Sequence, residues 1–294
     1  MNLAKSIWSA PAVERLASTL LPAAVLPSKY LKNQDFQLLT RESGSERRDL
    51  PIWVSTPETI RWSEAFGPVA RTEVPGVQGA FVLSNVLSVE ECTQLLQLSE
   101  AMGYTEDAPV SLGRHIRRNE NCVWLADDSL WQPIWRRVAE HMPPRVEGGA
   151  PAGLNQRWRL YKYGTSDVFK IHSDGSWPGS KADVANGVVV RDAYRDRWSQ
   201  LTFLLYLDDD YDGGETTFVV DGEGRPAMPR GNMISGDAQL RGVRVAQGSV
   251  LCFFHGEHEL SMLHEGSEVT RGVKHIVRSD VLYMLPGHEL KSEL

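Results

Sequence analysis

Residues 169–178 read FKIHSDGSWP, with His172 and Asp174 two positions apart just before a glycine. On a β-strand, positions i and i+2 point to the same face. An imidazole and a carboxylate on one face offer two adjacent ligands to a divalent metal of intermediate softness. The plainer reading is a strand-end histidine followed by a turn aspartate that bonds its own backbone. The pair alone does not separate the two readings, so the decision rests on what lies downstream.

A site of two histidines and one carboxylate needs its second histidine from a distant strand. His264 opens the stretch HEGSEVTRGVKHIVRSD, 92 residues after His172, and Lys274 follows ten residues later. Several strands of a double-stranded β-helix fit in the longer gap. His255 and His258, in FFHGEHELSMLH, are rival distal ligands. Neither is followed by a glycine or a well-placed cation, and if they are not ligands a solvated loop is expected for them.

The chain outward from these motifs has 294 residues, enough for one large domain or two small ones with a sizeable core. Hydrophobic residues are 41% and charged residues 23%, a globular rather than a disordered mix. The formal net charge of −7 lacks the basic footprint that nucleic-acid binding requires. Cys92, Cys122 and Cys252 are far apart and odd in number, which argues against a disulfide framework or a Cys-rich zinc site. They read as reduced core thiols in a reducing compartment. The apolar stretch at residues 16–27 is too short for a membrane span and carries two prolines. Lys5 and Arg15 precede it as in a signal peptide, but Glu14 and the missing cleavage pattern argue against export. The terminal KSEL is similar to the ER-retention tetrapeptide and reads as coincidence without a signal. A cytoplasmic protein with no membrane and no nucleic-acid partner is expected.

Residues 1–77 are rich in Pro, Ser and charge, with short helical patches, and read as an N-terminal extension to a domain over 78–294. From Gly79, GAFVLSNVLSVEECTQLLQLSEAMGY predicts a strand and then a helix. Ser88 and Glu91 form an S-x-x-E capping box at the start of that helix. A second helix is expected over residues 129–141, with Trp131, Ile134, Trp135 and Val138 on its packed side. After Pro151, short apolar runs separated by glycines predict strands. The sum is an α+β, mainly β chain: a sandwich or barrel with helices on one face. The irregular segment between His172 and Gln200 is long enough to be a lid or binding loop.

Five stretches in order resemble the prolyl 4-hydroxylase-like branch of the Fe(II)/2-oxoglutarate-dependent dioxygenases. These are FVLSNVLSVEECTQLL, YGTSDVFKIHSD, LTFLLYLDDDYDGGETTF, QGSVLCFF and HEGSEVTRGVKH, spread over roughly Gly79 to Leu285. The resemblance implies a double-stranded β-helix of the jelly-roll or cupin-like type. It implies an oxidoreductase with His172, Asp174 and His264 as iron ligands. It further implies 2-oxoglutarate as co-substrate, O2, and ascorbate as a stimulant. Lys274 would meet the far carboxylate of 2-oxoglutarate, and Tyr163 would be a second contact to it. Thr202 and Leu204 would line the same pocket. Two features depart from the family pattern. Glu268 stands where a proline is frequent, and Arg278, four residues after Lys274 on the same strand face, rivals it for the co-substrate. Lys274 is preferred for its spacing.

Arg114, His115, Arg117 and Arg118 form a basic cluster. Such runs are usually solvated. In the resembling family this segment borders the active-site mouth, so arginines here are candidate substrate contacts for a carboxylate or acidic peptide. Trp177 and Pro178 read equally as lid or packing residues. A peptide or protein side chain ranks first as substrate, with a small molecule as the alternative; an open groove near Arg114–Arg118 would favour the first and a capped cavity the second. A cupin-like module that holds metal without turnover and a metal hydrolase on the same barrel are the remaining alternatives.

Overall fold

The structure is a computed structural model that describes residues 5–9, 30–64, 67–107, 116–227 and 237–289. The apolar stretch at 16–27, the KSEL terminus, Arg114 and His115 lie outside the described residues. Among the described residues no helix is long and apolar enough to cross a membrane.

Two sheets carry the fold. The major sheet runs in the order Phe36–Glu42, Leu50–Ser55, Glu120–Leu125, Arg157–Tyr163, Lys274–Met284, Arg197–Tyr206, Val250–Phe254, Phe81–Ser84 and Ala70–Glu73. Pro151–Leu154 pairs along the far end of Lys274–Met284. The minor sheet runs Lys5–Ser9, Gln239–Arg244, Thr216–Val220, His264–Gly266, Val168–His172 and Arg117–Arg118. From residue 157 onward the chain passes back and forth between the two, which is the winding of a double-stranded β-helix. The mainly-β expectation holds, with helices on one face.

Period-2 alternation explains which side chains go where. On the major sheet Val82, Tyr161, Tyr163, Leu204, Tyr206, Leu251 and Ile276 point inward and pack against Phe218, Val220 and Val243 of the minor sheet. Their sequence neighbours Phe81, Leu83, Leu160, Leu205, Cys252 and Val277 point outward. There they meet Leu95 and Leu98 of helix Val89–Met102, and Leu130, Ile134 and Val138 of helix Asp128–Val138. The first helix carries the expected capping box between Ser88 and Glu91. The second starts one residue early on an Asp127 cap, and its final turn tightens to a 3-10 helix over Ala139–His141. The three cysteines are free and buried, and burial pushes the Cys92 thiol up to about 12.

Two expectations change. Before residue 77 the described residues hold strands rather than helical patches, and Phe36–Glu42 and Leu50–Ser55 prolong one end of the major sheet. Burial of Ile52, Trp53 and Val54 against that sheet overrides the weak local pattern. The segment after His172 is also not one lid. Lys181–Asp183 and Val188–Val190 form a hairpin whose Ala182 and Val189 pack on Leu39, Ile52, Val54, Val123 and Leu125. It is seated on the prolonged sheet, and only the residues up to Trp177 border the cavity beside His172.

Candidate metal centre

His172 and His264 are register partners on adjacent antiparallel strands of the minor sheet. Their ring centroids are 4.3 Å apart. Asp174 lies just beyond the end of its strand rather than on it, and its carbonyl accepts the N–H of Gly256 at 3.0 Å. The carboxylate still swings between the two rings. His172 Nε2 is 3.8 Å from Asp174 Oδ1, and His264 Nε2 is 3.6 Å from Asp174 Oδ2. One ligand atom from each residue falls within 4.8 Å of the others, so the three form a group able to hold a metal ion.

Both rings are held in the tautomer that ligation needs. His172 Nδ1 faces the Lys170 carbonyl at 2.8 Å, and His264 Nδ1 faces the Met262 carbonyl at 3.1 Å. Each Nδ1–H is thereby donated to backbone, and each Nε2 presents its lone pair to the centre. Burial, with His264 alongside, lowers the His172 pKa to about 3, and burial also lowers that of His264. Both are neutral at physiological pH. Burial alone would raise the Asp174 carboxyl, but Arg278 together with His264, His172 and His255 outweighs it and holds the group well below the usual carboxylate range. Two neutral imidazoles and one carboxylate with converging free donors suit a divalent first-row metal such as Fe(II).

His255 is no ligand. It is fully buried, with Nδ1 2.8 Å from the hydroxyl of Thr202 and Nε2 2.9 Å from that of Ser199. The solvated-loop expectation for it fails because Thr202 and Ser199, on the neighbouring strand, enclose it. His258 stacks on Phe254 at 3.8 Å.

Lys274 and Tyr163 are cross-strand partners at the inner end of the same cavity. Lys274 is 2% exposed. Its Nζ donates to the Gly214 carbonyl at 2.6 Å and lies 5.5 Å from the ring of Tyr163 and 5.1 Å from that of Tyr206. Desolvation brings its pKa down to about 8. Among the described residues it has no carboxylate partner, so a buried cation waits for an anion. Arg278 differs. Its Nη2 is 3.3 Å from Asp174 Oδ1 and 3.2 Å from Asp280 Oδ1, so its charge is already matched inside the protein. Thr202 donates to Asp174 Oδ2 at 2.7 Å, and Leu204 lines the cavity, whose volume is about 210 Å³.

Of the basic cluster, Arg117 reaches this cavity. It stacks over Tyr161 at 4.2 Å and Phe169 at 4.9 Å. Arg118 turns away to Asp167 at 3.2 Å. Trp177 borders the cavity and is 38% exposed. Arg159 and Asp280 were not singled out from the sequence. Alternation carried a signal for Arg159 and Asp280, because charged residues fall on the inward face of two buried strands.

The chain is 24% identical over 228 residues to prolyl 4-hydroxylase 1 of Arabidopsis thaliana, covering 74% of this chain and 69% of that protein. In sequence the chain is thus similar to a prolyl 4-hydroxylase. No protein-family model matches it. Among solved structures it is similar to a viral collagen prolyl hydroxylase of Paramecium bursaria Chlorella virus-1, in a 2-oxoglutarate complex. The identity is 15%, with 71% of this chain and 97% of that one covered and a TM-score of 0.43. A prolyl hydroxylase of Trichoplax adhaerens, bound to a peptide of hypoxia inducible factor, matches at 15% identity. There 70% of this chain and 83% of that one are covered, with a TM-score of 0.45.

Proposed function

We propose that this prolyl 4-hydroxylase-like protein is an Fe(II)- and 2-oxoglutarate-dependent hydroxylase, with a peptide or protein side chain of the prolyl type as its first-ranked substrate. The observation that supports it is the pairing of two features in one cavity. A neutral two-histidine, one-carboxylate donor set stands at one end, and the buried Lys274, without a carboxylate partner, stands at the other. A metal hydrolase has no use for the second feature.

In this reading His172, Asp174 and His264 hold Fe(II), which with 2-oxoglutarate and O2 supplies the oxidising chemistry for an unactivated C–H bond. The protein supplies placement. The Lys170 and Met262 carbonyls keep both imidazoles facing the centre. Arg278 and Thr202 hold the Asp174 carboxylate ionised and fixed in rotation. Lys274 binds the far carboxylate of 2-oxoglutarate by charge-assisted hydrogen bonds, and Tyr163, paired across the strands, adds a hydroxyl contact. The ion pairs of Arg278 with Asp174 and Asp280 favour Lys274 over it for that role. Leu204 and Phe169 wall the cavity and keep water from the reacting centre.

Anaerobic addition of Fe(II) and 2-oxoglutarate tests the reading. A weak visible absorption from the chelate is expected, with succinate released once air is admitted. A protein that binds neither, and releases no succinate in excess Fe(II), is not this enzyme and is better described as a metal-holding module.

A further inference from the structure

Three inward positions of Arg157–Tyr163 face three of Lys274–Met284, and Arg159 is the direct cross-strand partner of Arg278. Like charges placed opposite one another destabilise a sheet pair. Arg278 offsets its own cost with Asp174 and Asp280. Arg159 has less relief: among the described residues its side chain makes no hydrogen bond and no ion pair, Asp280 acts on it only from beyond ion-pair distance, and its guanidinium lies 5.9 Å from the ring of Trp177. Among the described residues the Arg117 guanidinium, on the neighbouring wall, hydrogen-bonds only the side-chain amides of Asn119 and Asn121, at 2.8 Å and 2.5 Å. Three guanidiniums thus line one small cavity, and among the described residues only that of Arg278 has a carboxylate within ion-pair distance.

The phenol between them registers the excess. Burial would raise the pKa of Tyr161, yet Arg117, Arg159 and Arg278 together bring it down to about 8. Burial and Arg278 also lower the pKa of Arg159 itself. With Asp174 and Asp280 both within ion-pair distance of Arg278 and neither within that distance of Arg159 or Arg117, the remaining positive charge is costly to keep and matches an anion brought in from outside.

We propose that Arg159, assisted by Arg117 and with Trp177 as a side wall, is a carboxylate-binding subsite that makes the substrate an anion. The proposal rests on the hydroxylase reading for what happens to that substrate, though not for its binding. Two carboxylates are available in principle, that of the substrate and the far one of 2-oxoglutarate. Lys274 and Arg159 stand four residues apart in register, about 13 Å along the strands. A five-carbon diacid that chelates the metal and meets Lys274 leaves Arg159 free. The subsite therefore belongs to the substrate, and its carboxylate fixes which C–H bond faces the metal.

Calorimetric titration of the full chain with cyclohexanecarboxylate and cyclohexanecarboxamide, a size-matched acid and amide, tests this. The wild type is expected to bind the acid at least about tenfold more tightly. Arg159→Gln should lose the preference, Arg159→Lys should keep part of it, and Lys274→Met should keep it. Affinity for 2-oxoglutarate in the presence of Mn(II) should change less than about threefold in Arg159→Gln and fall steeply in Lys274→Met. Equal binding of acid and amide, no binding of either, or a preference that follows Lys274 overturns the proposal. So does a loss of 2-oxoglutarate affinity in Arg159→Gln. If Arg159→Gln melts well below the wild type, the Arg159→Lys and Lys274→Met titrations decide. None of the acid–amide titrations needs metal or turnover, so failure of the hydroxylase reading is seen separately as absent succinate.

Discussion

Thr202 holds Asp174 in place: its hydroxyl donates to Oδ2 at 2.7 Å and in turn faces Nδ1 of His255 at 2.8 Å. His255 is neutral, because burial lowers its pKa, and its Nδ1–H is the donor to Thr202. The carboxylate therefore sits at the end of a chain of oriented hydrogen bonds. Partners that orient a ligand are commonly worth ten- to a hundredfold in metal affinity. Thr202→Val keeps the shape and removes the donor, so Fe(II) affinity should fall by about that factor, while Thr202→Ser should retain it. Competitive metal titration measures both. Equal affinity in the valine variant would mean that Arg278 alone suffices.

The pH response of co-substrate binding should trace Lys274. Its neighbours Glu215 and Asp208 favour the charged form and Arg244 opposes it, but desolvation dominates and sets the pKa near 8. The tyrosines around it, Tyr163, Tyr206 and Tyr211, have raised pKa values and stay neutral. An anion binds the protonated lysine, so the Kd for 2-oxoglutarate should be flat below pH 8 and rise about tenfold per unit above it. Binding in that range should take up a proton, which calorimetry in buffers of different ionisation enthalpy detects. Lys274→Met should bind weakly with no such slope.

Stability carries the opposite sign at the same residue. The lysine titrates near 10.5 when unfolded and near 8 when folded, so below pH 8 its charge opposes folding in full. That opposition fades as pH rises from 8 to 10.5. Lys274→Met should therefore raise the melting temperature of the ligand-free protein at pH 7, by a free energy on the order of 3 kcal/mol at most. The gain should vanish toward pH 10.5. A lower melting temperature at pH 7 would show that the bond to the Gly214 carbonyl outweighs desolvation.

What the sequence could show follows from which interactions are local. His172, Asp174 and His264 were legible because ligand chemistry restricts both residue type and spacing. The Ser88–Glu91 cap was legible because both partners lie within one turn. His255 was not, since the residue after a strand is solvated or buried according to what crosses above it, and here Thr202 and Ser199 do. The strands before residue 77 were hidden for a related reason: FQLLTRE sits among charges and becomes a strand by pairing with Leu50–Ser55. The seat of the 181–190 hairpin depends on that same prolonged sheet, so an error about the first strands carries into the reading of the lid.

Glu91 does more than cap its helix. It is 1% exposed, accepts the N–H of Ser63 at 2.7 Å and of Ser88 at 2.9 Å, and meets Arg137 through both oxygens at 2.8 Å. It thus ties both helices to the segment before them. Breaking a buried ion pair from one side leaves the partner's charge poorly solvated, a loss of about 3–5 kcal/mol. Glu91→Ala should cost that much in urea unfolding, and Glu91→Gln less, because the amide oxygen still accepts a backbone N–H. Iron affinity of the folded variants should be unchanged, since the outer face of the sheet separates Glu91 from the metal ligands.

Ser199 links the other end of the His255 chain to the cavity wall. Its Oγ accepts the backbone N–H of Trp177 at 2.8 Å and bonds His255 Nε2 at 2.9 Å. Ser199→Ala leaves both groups without that partner, which should cost about 1–3 kcal/mol. The Thr202–His255 bond survives, so metal affinity should stay within about threefold of the wild type, well short of the loss expected for Thr202→Val. The local effect should appear at the Trp177 amide, whose hydrogen exchange should accelerate as the segment 175–178 loosens. An unchanged exchange rate there, with normal stability, would mean that the Ser199 N–H bond to the Trp177 carbonyl, 2.8 Å long, anchors the segment by itself.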